Sequence, residues 1–129
     1  MPYIQKHVLE KSGGDPILEY FLGPSSDLNR MLTEPGGATV RFYRSSDRSY
    51  VEVHNAWESQ QSYETWRLRH GDEYVTVLSA VESYMSEIGI NYTRHELAEN
   101  NWDSPSYFFS FLGSRVTEAD RITFEQIFE

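Results

Sequence analysis

The sequence predicts an α+β domain built on one antiparallel sheet, and three observations carry that expectation. Alternating and helical segments follow one another in the order strand, helix, strand, strand, helix, strand. The two central strands are joined only by the polar loop from Ser45 to Ser49, which requires them to pair as a hairpin. The chain of 129 residues has single-domain length, enough to bury roughly two-thirds of its unfolded surface. That element order is the ferredoxin-like split β-α-β arrangement, βαββαβ, with an expected strand order of 4-1-3-2.

Each element has a local reason. Residues 3 to 9, YIQKHVL, form the first strand, closed by Ser12-Gly13-Gly14. Asp15-Pro16 then opens a helix, with aspartate as cap and proline where its missing N–H costs nothing. ILEYFL ends at Gly23-Pro24, and SDLNRML resumes the helix up to Glu34-Pro35-Gly36-Gly37. Residues 38 to 44 and 50 to 57 alternate as the second and third strands. A helix starts near Ser59, with Tyr63 and Trp66 on one side, and Gly71 interrupts it. Tyr74, Leu78, Val81, Met85 and Ile88 then recur at helical spacing before Gly89 supplies a left-handed stop. INYTRHEL, 90 to 97, is the fourth strand.

The domain is therefore expected over 1–97, with a C-terminal extension over 98–129 that packs on the domain or on a partner subunit. The extension holds five of the seven phenylalanines, and Tyr107, Phe108, Phe109, Phe111 and Leu112 stand together in it. Thr117 to Asp120 reads as a capping box opening a last short helix.

Composition excludes whole classes of function. A net charge of −9 repels phosphate backbones and anionic lipid, so neither nucleic acid nor a membrane surface is an expected partner. The absence of cysteine removes disulfides, thiolate metal sites and cysteine nucleophiles together. No apolar leader or membrane-spanning run is present, which leads to the expectation of a cytoplasmic protein. There is no G-x-S-x-G elbow, G-x-G-x-x-G turn or Walker loop to support a hydrolase or a nucleotide enzyme.

Strand parity points to a candidate site. With Ile4 and Val8 assigned to the helix side, the first strand puts Tyr3, Gln5, His7 and Leu9 on the open face. Val51 and Val53 leave Tyr50, Glu52 and His54 there, with Asn55 toward the helices. Ile90 and Tyr92 leave Thr93, His95 and Leu97 on the open face. In the 4-1-3-2 order three histidines and a carboxylate would then share one surface. This suggests a polar pocket with a histidine base. A shared face does not itself bring ligands to the ~2 Å that coordination needs, so no metal is expected. The competing reading is three surface or interface histidines aligned by chance.

Residues 56 to 66, AWESQQSYETW, resemble the strand-to-helix segment of the antibiotic biosynthesis monooxygenase-like proteins, on Trp57, Glu58-Ser59, Gln60-Gln61, Tyr63 and Trp66. The resemblance spans residues 3 to 97 in element order and about 50 to 70 in residue detail. It implies a homodimer in which two ferredoxin-like subunits pair face to face as a dimeric α+β barrel, each enclosing a cavity. It further implies a cofactor-independent monooxygenase-like oxidoreductase acting on an aromatic small molecule, in which a base, an amide donor and an apolar wall suffice. His54 and Trp66 are the catalytic candidates, and Gln5, His7, Glu52 and His95 the substrate-binding ones. Core packing is the competing role for Trp57 and Trp66. The alternative function is a non-catalytic barrel that binds a small ligand or a protein.

Overall fold

The computed structural model describes residues 1–23, 25–107 and 115–129. Four strands and four helices follow the expected order: β1 (Tyr3–Glu10), α1 (Pro16–Leu22), α2 (Ser25–Leu32), β2 (Thr39–Arg44), β3 (Tyr50–Trp57), α3 (Gln60–His70), α4 (Asp72–Glu87) and β4 (Asn91–Glu99). A two-residue strand, β5 (Arg121–Ile122), and two single 3₁₀ turns, 118–120 and 125–128, complete the described residues.

Local chemistry places the breaks. Ser59 caps α3, its hydroxyl accepting the Ser62 N–H at 3.1 Å. Gly71 divides α3 from α4 at φ 56°, a backbone that glycine adopts without the Cβ clash other residues meet. α1 stops at Gly23, where a Cβ would stand only 2.2 Å from the Tyr84 ring of α4. In the extension, the Thr117 N–H donates to Asp120 Oδ2 at 2.7 Å, and the chain then enters β5.

The sheet is antiparallel, with order β4-β1-β3-β2-β5. This is the 4-1-3-2 order of the ferredoxin-like arrangement with one strand added beside β2. β5 is too short to show a period in the sequence, and among the described residues it pairs with Phe42 and Tyr43. β4 runs on to Glu99, past residue 97, through a bulge where Ala98 takes φ 52°.

Helices cover one face. Leu9, Val51, Val53, Trp57, Trp66, Leu78, Val81 and Met85 are buried there with Ile17, Tyr20 and Leu28 from α1 and α2. The parity expected of β1 is inverted. Its partners across the ladder are Tyr3↔Trp57, Gln5↔Asn55, His7↔Val53 and Leu9↔Val51, and paired residues share a face. Tyr3, Gln5, His7 and Leu9 therefore lie toward the helices, while Ile4, Lys6 and Val8 lie opposite. The physical reason is that Tyr3 and Leu9 join the larger core, whereas Ile4 joins a smaller cluster with Ala56, Trp102 and Tyr107.

That smaller cluster shows what covers the open face. Trp102, Tyr107 and Val116 of the extension are buried against Ile4, Ala56 and Tyr43. Phe108, Phe109, Phe111 and Leu112 lie outside the described residues. Among the described residues no helix is long and apolar enough to cross a membrane.

Candidate functional site

The open face carries a buried polar network centred on β3. His54 and Glu52 alternate along that strand on one face, and both are fully buried. His54 Nε2 lies 2.9 Å from Glu52 Oε1, and Tyr50 donates its hydroxyl to Glu52 Oε2 at 2.7 Å. Lys6, opposite His54 on β1, sits 3.5 Å from Glu52 Oε1. Burial raises the Glu52 carboxyl, but the bonds from His54 and Tyr50 and the charge of Lys6 outweigh it and hold it below the ordinary glutamate value. An ionised carboxylate only accepts, so His54 Nε2 carries the proton and Nδ1 accepts from the Tyr107 hydroxyl. Burial, with Lys6 and Arg41 nearby, lowers the His54 pKa despite Glu52, and the ring is neutral. Arg41 anchors the same extension, with its guanidinium 3.7 Å from the Trp102 ring centre and 2.9 Å from Asp103. Both ring nitrogens of His54 are thus occupied by the protein, and no ring atom reaches solvent.

A second polar group lies between sheet and helices. Gln5 contacts Tyr3 and Glu96 through Nε2, each at 3.5 Å, and accepts from the Tyr74 hydroxyl at 3.4 Å. Arg94 donates to the same Tyr74 oxygen at 3.3 Å. His7 Nδ1 accepts from the Tyr92 hydroxyl; burial, then Arg94 and His54, push its pKa down to about 3. Asn55 lies directly across from Gln5, fully buried, yet neither its Oδ1 nor its Nδ2 has a hydrogen-bond partner among the described residues. The indole N–H of Trp57, two residues on, is likewise unbonded. Around them stands an aromatic wall: ring centres are 5.2 Å apart for Trp57–Trp66, 5.2 Å for Trp66–Tyr74 and 4.7 Å for Trp57–Tyr63. Trp66 donates its N–H to the Met31 carbonyl at 3.2 Å, which fixes its indole within the core.

No protein-family model matches the chain, and no curated protein sequence does. Among solved structures it is similar to a protein of unknown function from Nitrosomonas europaea, NE2512, at 19% identity over 81% of this chain and 97% of that one, with a TM-score of 0.41.

The residues singled out in the sequence therefore separate onto two faces. His54 and Glu52 are together, as expected, and Trp66 stands on the helix side with Gln5. Gln5 and His7 do not join His54, because the β1 register turns them to the helices. His95 is exposed on β4, with Thr93 Oγ1 at 3.3 Å, and does not enter the network among the described residues. Among the described residues no group of three histidine, aspartate or glutamate side chains is placed to hold a metal. The sequence placed Tyr50 on this face, but it did not point to Lys6 or Arg41 and did not bring Tyr107 to His54. The alternation of Lys6 and Glu10 with Tyr3 and Leu9 was the available signal for the β1 face; nothing local announced Tyr107, which meets His54 from 53 positions away.

Proposed function

We propose that the protein is a small-ligand-binding α+β protein that holds an aromatic molecule bearing a hydroxyl between its sheet and its helices. The observation that carries this reading is Asn55. A buried amide with both its donor and its acceptor unbonded is rare in folded proteins, because each such group loses its water without replacement. A ligand presenting one acceptor and one donor satisfies both, and the rings of Trp57, Trp66 and Tyr63 match an aromatic body.

Oxygenation of such a molecule needs a base as well. His54 is on the other face with both nitrogens occupied. His7 is on the correct face, but a pKa of about 3 makes it a feeble proton acceptor near neutrality. The amide and the wall support binding, and the missing base argues against turnover. Face-to-face pairing of two sheets in a barrel forms no part of this reading, since the extension's own Trp102 and Tyr107 occupy that surface.

The test uses 1-naphthol as probe and the fluorescence of Trp57 and Trp66, with Trp102→Phe removing the signal from the opposite face. Saturable quenching that Asn55→Leu weakens at least tenfold supports the reading. Absence of saturation up to millimolar naphthol, or equal affinity in the Asn55→Leu protein, overturns it.

A further inference from the structure

One border of the sheet is β4, whose outer edge pairs with no strand among the described residues. None of its nine residues is buried. At about 3.4 Å per residue such a strand presents an edge of roughly 30 Å, with backbone N–H and C=O groups pointing outward. Proteins guard such edges with like charges, proline or bulges. Here the bulge lies toward the C-terminal end, at Leu97 between the paired Glu96 and Ala98, and leaves residues 91 to 96 regular. The central charges are of opposite sign, Arg94 and Glu96, either side of His95. Both lie toward the helix face, Arg94 reaching the Tyr74 hydroxyl at 3.3 Å and Glu96 reaching Gln5 at 3.5 Å.

We propose that this edge joins to a second copy of the same chain, the two β4 strands pairing antiparallel about a two-fold axis at His95, within the regular stretch of residues 94 to 96. In that register Arg94 of each copy stands opposite Glu96 of the other, on the same face. A protected edge repels its own copy, whereas this one is complementary to itself. Opposite charges directly across a ladder favour pairing and like charges oppose it. The symmetry counts each such pair twice, and the contact is isologous, so it closes at the dimer. The product is one sheet continuous through both subunits, with the helices of both on the same side. It leaves the face under Trp102 and Tyr107 untouched, and it does not depend on ligand binding at Asn55.

Sedimentation velocity of the full chain from about 1 to about 100 μM reads the association directly. The wild-type protein sediments as a dimer in the upper part of that range. Arg94→Glu sets glutamate against glutamate, and Glu96→Arg sets arginine against arginine; each alone raises the dissociation constant by about tenfold or more. An equimolar mixture of the two variants restores opposite charges at both positions and recovers the dimer. Mixing also separates lost pairing from lost folding, since a misfolded variant is not rescued by the other. A wild-type monomer throughout the range overturns the proposal. So does a dimer that neither single variant weakens, or variants that dissociate and fail to recombine.

Discussion

Replacing Asn55 with leucine tests the least comfortable residue in the molecule. Leucine keeps the forked shape of asparagine and puts two methyl groups where Oδ1 and Nδ2 now stand, both unbonded in a fully buried site. Leaving an amide buried without partners costs roughly 1–3 kcal/mol, and its removal recovers that cost. The methyl groups are bulkier than the atoms they replace, and crowding between Val40 and Gln5, its neighbours across the ladders, takes back about 1 kcal/mol. A net gain of up to about 2 kcal/mol remains. For a chain of 129 residues each kcal/mol moves the melting temperature by about 4 °C. Asn55→Leu is therefore expected to melt higher by up to about 8 °C by circular dichroism, with a matching rise in the urea midpoint and an unchanged slope. Ligand binding is lost as stability is gained, the trade expected of a residue kept for binding. A loss of 1 kcal/mol or more in Asn55→Leu, repeated in the smaller Asn55→Val where crowding is relieved, would refute the reasoning. The amide would then already be satisfied in the free protein.

Three other outcomes follow from the same geometry. Trp66→Ala removes a fully packed indole and its bond to Met31, and should cost roughly 3–5 kcal/mol in urea denaturation. Tyr107→Phe leaves His54 Nδ1 buried without a donor and should cost about 1–3 kcal/mol, with faster hydrogen exchange in residues 100–107 than in β3. Acid should weaken the fold before the carboxylates titrate: His7 is held neutral when folded, with its pKa at about 3, and takes up a proton at its ordinary value of about 6.5 when unfolded. Its contribution is present above that unfolded value and is lost as pH falls toward the folded one, roughly 2 kcal/mol between pH 6.5 and pH 5. His7→Leu should flatten that part of the stability profile; an unchanged slope would show that His7 does not cause it.

Elements with a strong local signal were legible in the sequence. The alternation of residues 50 to 57 matches the observed β3, and Ser59 caps the following helix as its position suggests. The face of β1 was not legible, because Ile4 and Val8 compete with Tyr3 and Leu9 and only the pairing of Leu9 with Val51 decides between them. One inverted strand was enough to dissolve the three-histidine surface while leaving the topology intact. His54 kept its expected face because Val51 and Val53 identify the opposite side without ambiguity. Its closure could not be foreseen, since Tyr107 and Trp102 come from a segment whose destination no period encodes. Asn55 was assigned to the helix side by parity, but whether its amide is bonded depends on the three-dimensional neighbours of a single position.

The cover that Trp102 and Tyr107 place over His54 also bears on the order of events at the ribosome. Synthesis proceeds from the amino terminus at about 5–20 residues per second, so β1, β3 and β4 emerge before the residues that close this face. For that interval the nascent sheet shows water Lys6, Arg41, Glu52 and His54, groups that hydration stabilises and that resist sticking to neighbouring chains. An all-aliphatic surface in the same place would be hazardous until the last part of the chain appeared. The cost of burying these polar and charged groups is thus deferred until Tyr107 arrives with the hydrogen bond that His54 lacks.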